Sequence, residues 1–192
     1  MRSTLFVLAL LTACAPHSPA PDTSAPDAPP PATPQIAPWN ANPAVAAPPV
    51  LLTEWQKAEN RASCAPMTFA DYGNATPRRA NFSGGWGLAF DAPGQPGRDP
   101  SGASCATCGR GTFGIAGAGV EKGEDAENVY AGGMMIFAGK NRALYDLEGG
   151  TGPNWLAQIH VDDQRCIYYV WSFQGRAHVE QLIRNVRRVR ME

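Results

Sequence analysis

Residues 155 to 173 read WLAQIHVDDQRCIYYVWSF. Two runs rich in aliphatic and aromatic side chains, Trp155 to Val161 and Arg165 to Phe173, flank the polar stretch Asp162-Asp163-Gln164. Side chains of these types pack well on a pleated surface. A polar break of a few residues between two such runs is a hairpin signal, here Val161-Asp162-Asp163-Gln164-Arg165. Within Ile167-Tyr168-Tyr169-Val170-Trp171 successive residues face opposite sides. Both sides are apolar-capable, so core packing is expected to account for most of these side chains.

The same reading extends outward. Val129 to Ala138 and Arg142 to Leu147 form a second pair of strand-like runs, joined by the turn Ala138-Gly139-Lys140-Asn141-Arg142. Upstream, Met67 to Tyr72, Ala80 to Asp91 and Gly111 to Ala118 are further strand-like segments between Gly, Pro and Asn breaks. Thr53-Glu54-Trp55-Gln56 has the spacing of a capping box and predicts a short helix to about Arg61, ended before Pro66. Downstream, Val179, Leu182, Ile183 and Val186 repeat at i, i+3, i+4 and i+7, an apolar helical stripe, with Arg184 on the other side and Arg187 toward its edge. The expected class is α+β: a largely antiparallel sheet of five to seven strands, a short N-terminal helix, and a C-terminal amphipathic helix packed on one face. No strand–helix alternation suggests a dinucleotide fold. Gly109-Arg110-Gly111-Thr112-Phe113-Gly114 spells G-x-G-x-x-G but lacks the strand before it and the helix after it. The eleven glycines between Ser83 and Gly119 read instead as irregular loop with strand bulges.

The chain has 192 residues and a formal net charge of -1, so no overall field draws it to nucleic acid. Of its 18 prolines, twelve lie between Pro16 and Pro49, a shift that marks a boundary near residue 50. Residues 50–192 are therefore expected to form a single globular domain, within the usual size range. The terminal run Arg184, Arg187, Arg188 and Arg190 reads as a solvated last helical turn, where cations complement the helix dipole. The competing reading is a binding patch for phosphate or acidic glycan.

At the other end, Arg2 precedes the apolar run Leu5 to Leu11, far shorter than the roughly 20 residues needed to span a bilayer. It has the form of an export signal. Leu11-Thr12-Ala13-Cys14 resembles the lipobox of bacterial lipoprotein signal peptides. The resemblance covers about 14 residues and leaves the rest of the chain unassigned. It implies that residues 1–13 are removed and that Cys14 is acylated, which ties the chain to a membrane. Two or more acyl chains make a stable anchor. Ala15, rather than Asp, follows the cysteine, and in that family this favours the outer membrane, with the domain facing the periplasm. Residues 14–49 then form the acylated cysteine and a Pro/Ala-rich linker that lacks the apolar side chains to order itself. Extended, it reaches on the order of 100 Å.

Setting Cys14 aside leaves Cys64, Cys105, Cys108 and Cys166, an even set in an exported domain, which predicts disulfides. Cys105–Cys108 and Cys64–Cys166 are the favoured pairs, and crossed pairings stay open. A redox or zinc role for Cys105-Ala106-Thr107-Cys108 ranks below the structural one, because glycines rather than a helix follow it and no second close pair exists. No metal or other cofactor is expected. His160 and Asp162 share a strand face by the two-residue period, with Asp163 beside them, and are weak candidates for a catalytic pair. His178 sits beside the apolar stripe as a boundary residue. Trp86, Trp155, Arg184 and Arg187 are candidate binding residues, since Trp and Arg dominate interaction hot spots. The expected function is a membrane-anchored envelope lipoprotein with a small non-catalytic binding domain, an adaptor, inhibitor or immunity-type protein, with an envelope protein as partner. The alternative is a small periplasmic hydrolase or carbohydrate-active enzyme that uses His160 with Asp162 or Asp163.

Overall fold

The computed structural model describes residues 33–82, 84–93, 110–120, 130–150 and 153–191. Its centre is the hairpin quoted above. Strand β7 (Trp155–His160) pairs antiparallel with β8 (Cys166–Ser172), and the turn between them closes through the Gln164 N–H on the Val161 carbonyl. On the outer side of β7 lie β6 (Arg142–Leu147) and β5 (Gly133–Ile136); on the outer side of β8 lie β4 (Phe113–Val120), β3 (Trp86–Asp91) and β2 (Thr76–Arg79). The resulting sheet has seven strands in the order β2-β3-β4-β8-β7-β6-β5, every neighbouring pair antiparallel. A separate two-stranded ribbon joins β1 (Met67–Phe69) to β9 (Val186–Arg188). With helices α1 (Pro38–Ala41), α2 (Pro49–Lys57) and α3 (Arg176–Asn185), the described chain is mostly antiparallel sheet with a few helices, the class expected.

Strand alternation sorts the side chains into two clusters. Trp86, Leu88 and Phe90 of β3, Ile115 of β4, Ala157 and Ile159 of β7, and Tyr168 and Val170 of β8 all enter the main core. Val179, Leu182 and Ile183 of α3 close over them, and Val186 continues the same cluster. The opposite face has a small cluster of its own, Ala80, Ala89, Ala116 and Trp171. Strand β8 is thus buried on both faces, as its apolar run implies.

The strand expected over Gly111 to Ala118 is present as β4, so its glycines lie in the ladder rather than in irregular loop. Gly114 lies opposite Trp171, and a Cβ there would come 2.1 Å from the indole and 2.3 Å from the Leu88 carbonyl. At Gly117 a Cβ would meet the Trp86 indole nitrogen at 2.7 Å. These glycines let two tryptophans lie flat across β4, one on each side of the sheet. The bulge expected of such a sequence is present, as a register shift between Gly117 and Gly119.

Three local expectations are corrected. The first helix starts at Pro49, with Pro at its first position, and ends at Lys57 rather than near Arg61. Thr53 is therefore inside the helix and not its cap; its hydroxyl donates back to the Pro49 carbonyl at 3.2 Å. A proline at N1 has no intrahelical donor to lose, which is why the helix can begin at the edge of the proline tract. At the other end, α3 stops at Asn185, and Val186 takes extended backbone angles. Arg187 and Arg188 accordingly belong to β9, where their partners are Thr68 and Met67, and not to a solvated last helical turn. Val186 is buried whether the chain stays helical or turns to strand, so the i+7 spacing did not register the change.

The third correction is the domain's start. Residues 33 to 49, expected in the linker, include packed structure. Trp39 is 1% exposed and meets Phe137 edge-on at 5.3 Å. Its indole N–H donates to Asn141 Oδ1 at 2.9 Å, and the same oxygen accepts the Asp162 N–H at 3.1 Å. Val45 bridges to Val189, with the Val45 N–H on the Arg188 carbonyl and the Arg190 N–H on the Val45 carbonyl. Composition pointed to a linker because proline and alanine dominate; one tryptophan supplies the burial that anchors it.

Cys64 and Cys166 form a disulfide across 102 residues of sequence, tying the segment after α2 to the start of β8. Cys14, Cys105 and Cys108 lie outside the described residues. Among the described residues, no helix is long and apolar enough to cross a membrane.

Candidate functional site

The end of β8 sets up a site in which polar side chains converge on an open volume. Ser172, the last residue of β8, is completely buried. Its Oγ accepts the Gln174 N–H at 2.9 Å, and the chain then turns through Gly175, whose φ of 87° suits glycine, into α3. This turn brings the first helical turn back over the strand, and His178 Nδ1 comes to 2.7 Å from Ser172 Oγ. The serine hydroxyl, with one lone pair taken by the Gln174 N–H, still has a proton and a lone pair for Nδ1, and this bond braces the imidazole against the end of β8. Burial holds the His178 pKa below its ordinary value, which keeps the ring neutral.

His178 is one wall of a cavity of about 300 Å³, at the lower end of small-ligand sites. Gln181, Leu182 and Asn185 continue that wall, on the same side of α3 by helical spacing. The opposite wall is the loop after β1, with Asp71, Tyr72 and Asn74. This loop is held in shape locally and from α3. The Asp71 carboxylate accepts the Gly73 N–H at 2.8 Å, the Ala70 N–H donates to the Asn185 carbonyl at 2.9 Å, and the Asn185 side-chain amide donates to the Asp71 carbonyl. Beneath runs an aromatic series: Tyr72 beside Phe90 at 4.9 Å, Phe90 stacked on Phe113 at 5.1 Å, and Phe113 against the His178 ring at 5.1 Å. Among the described lining residues Asp71 carries the sole formal charge, and none is Lys or Arg.

The residues singled out from sequence lie elsewhere. His160 is buried in β7, whereas Asp162 and Asp163 are exposed in the β7–β8 turn. The Asp163 carboxylate pairs with Arg188 at 2.7 Å. Trp86 is 1% exposed, packed against Tyr168, a core side chain rather than a surface anchor. Trp155 is half-buried and stands with Tyr145 beside the Arg176 guanidinium, which lies 5.9 Å from one ring and 5.6 Å from the other. Glu180 completes that group, taking hydrogen bonds from Arg176 Nε at 2.8 Å and the Tyr145 hydroxyl at 2.9 Å. Those two bonds, Arg176 first, hold the Glu180 carboxyl below its usual range. Arg184 is exposed on α3 and bonds the Glu180 carbonyl; Arg187 bonds the carbonyls of Arg184 and Val186. Arg184 thus touches both Arg187 and the Glu180 of the Trp155 group, whereas Trp86 is buried apart from them in the core.

His178 was legible as a residue beside the apolar stripe, but its cavity was not. Asp71 and Asn185 are 114 residues apart, and no local pattern joins them. Among the described residues no three His, Cys, Asp or Glu side chains are grouped to hold a metal ion. No family model matches the chain, no curated protein matches it, and no solved structure matches it.

Proposed function

We propose that this chain is a lipid-anchored lipoprotein of the bacterial envelope, tethered by Cys14 to the outer membrane, whose domain binds an envelope component without transforming it. The lipobox-like Leu11-Thr12-Ala13-Cys14 supports the tether, and the proline-rich tract beyond it supports a spacer between membrane and domain. The Cys64–Cys166 disulfide fits an oxidising compartment. The observation that carries the binding reading is the state of Ser172. Its side chain is fully buried and lies against His178 Nδ1, so it positions the imidazole and offers no attacking oxygen to the cavity. Among the described residues the site thus has hydrogen-bonding groups and a shaped wall without the exposed serine or cysteine nucleophile that acyl-transfer chemistry uses.

The hydrolase reading has less support, because His160 is buried while Asp162 and Asp163 are exposed and Asp163 is paired with Arg188. The two readings separate in one assay. Protein extracted from membranes is incubated with solubilised envelope fractions, and retained material and newly formed soluble products are both analysed by mass spectrometry. The binding reading expects retention with no new product. Product formation that disappears in His160→Ala, with the variant still folded, would replace it with the hydrolase reading.

A further inference from the structure

We infer that the cavity between α3 and the loop after β1 is a binding site for a neutral, hydroxyl-rich ring, a saccharide, held by Asp71, Gln181 and the His178 imidazole. This deepens the binding reading above and rests on it.

Three independent features point to that ligand class. The first is the donor and acceptor set. A sugar hydroxyl both gives and receives a hydrogen bond, and side-chain amides do the same; Asn74, Gln181 and Asn185 supply three around one cavity. The Asn185 amide N–H₂ is already used on the Asp71 carbonyl, which leaves its oxygen as an acceptor. Asp71 keeps acceptor capacity beyond its bond to the Gly73 N–H.

The second is charge. A phosphate or carboxylate ligand needs a cation or several N–H groups to replace its water. Among the described lining residues there is neither Lys nor Arg, and the single formal charge is the Asp71 carboxylate. Among the described lining residues an anion would meet a like charge and no counter-ion. A ligand bearing hydroxyls, by contrast, donates to that carboxylate.

The third is the fixed imidazole. Ser172 takes the Gln174 N–H and holds His178 Nδ1 at 2.7 Å, and the ring lines the cavity. The edge contact with Phe113 holds the ring in place. A polar ring whose orientation is set before binding loses little freedom on contact. The flanking Tyr72 ring and the Leu182 side chain provide the apolar surface that the C–H face of a sugar ring requires.

The test uses full-length protein extracted from membranes in detergent. Titration calorimetry and saturation-transfer NMR are run with a panel of neutral mono- and disaccharides that includes N-acetylglucosamine, and in parallel with N-acetylglucosamine 1-phosphate. Gln181→Ala and Asp71→Ala remove exposed side chains, so the fold is expected to survive both; Arg184→Ala, on the same helix outside the cavity, is the control. The expected result is binding of a neutral saccharide, weakened about three- to tenfold by each cavity variant, as for loss of one hydrogen bond, and unchanged in Arg184→Ala. On binding, the His178 imidazole resonances should shift. Absence of binding by every neutral sugar overturns the inference, as does tighter binding of the phosphate, or affinity indifferent to both cavity variants. If the sugar binds there and is also cleaved, the site stands and the non-catalytic reading falls. If no sugar binds while another envelope component is retained without products, the ligand class falls and the binding reading stands.

Discussion

His178 shows how much one side chain depends on groups that sequence proximity does not reveal. Ser172 and Gln174 are its near neighbours and fix its position, but it packs on Phe113 and faces the Asp71 loop across the cavity. Burial lowers its pKa, so the unfolded chain, with a histidine pKa of about 6.5, binds this proton more readily than the folded one. The associated stability is complete above about pH 6.5 and is lost as pH falls through the folded pKa. Urea unfolding of wild type and His178→Gln should therefore give a difference that shrinks between pH 7.5 and pH 5, because only the wild type loses this contribution on acidification. A difference that stays constant or grows would mean that the imidazole is not held neutral. The expected catalytic residue, His160, illustrates the converse. Its two-residue spacing to Asp162 was readable; that the histidine is buried and the aspartate exposed depends on where β7 ends, which the spacing does not contain.

At the scale of elements, what was legible was what is local. The two hairpins that build β5–β6 and β7–β8 follow from apolar runs around short polar turns, and the α3 stripe from its own periodicity. Strand β2 was missed for a physical reason. Thr76-Pro77-Arg78-Arg79 has no apolar alternation and contains a proline, which an edge strand tolerates. It is a strand because β3 offers it a ladder and because Arg78 pairs with Asp91 at 2.5 Å across that ladder. The tryptophan-on-glycine packing of β4 makes a sharp demand on the central ladder. Gly114→Ala should destabilise the domain by about 3 kcal/mol or more, the upper end for overpacking, since one of the clashing atoms is backbone and cannot rotate away. Thermal unfolding checks this; a loss below about 1 kcal/mol would mean that β4 and β8 move apart easily, against the two-sided burial described.

Over the whole molecule, long-range ties decide where the domain begins and how firmly it holds. Trp39 plugs the core from a segment that composition assigns to a linker. Trp39→Ala should lose about 3 to 5 kcal/mol, a large part of the 5 to 15 kcal/mol typical of a domain, measured as a shift in the denaturant midpoint. A negligible shift would return residues 33 to 49 to the linker. The Cys64–Cys166 bridge spans 102 residues, and replacing both cysteines by Ala should remove up to about 4 to 5 kcal/mol in the chain-entropy account. An unchanged midpoint would show that the bridge does not constrain the unfolded chain. The proposed tether through Cys14 is the remaining long-range element, and the proposed role of the domain depends on it. The most direct measurement is the intact mass of the mature protein from the membrane fraction, beside that of Cys14→Ser. A chain that begins at Cys14 and carries diacylglycerol and an added acyl group, with Cys14→Ser released from the membrane, is the predicted result. A mature chain without lipid, or a Cys14→Ser variant that stays with the membrane, would contradict it.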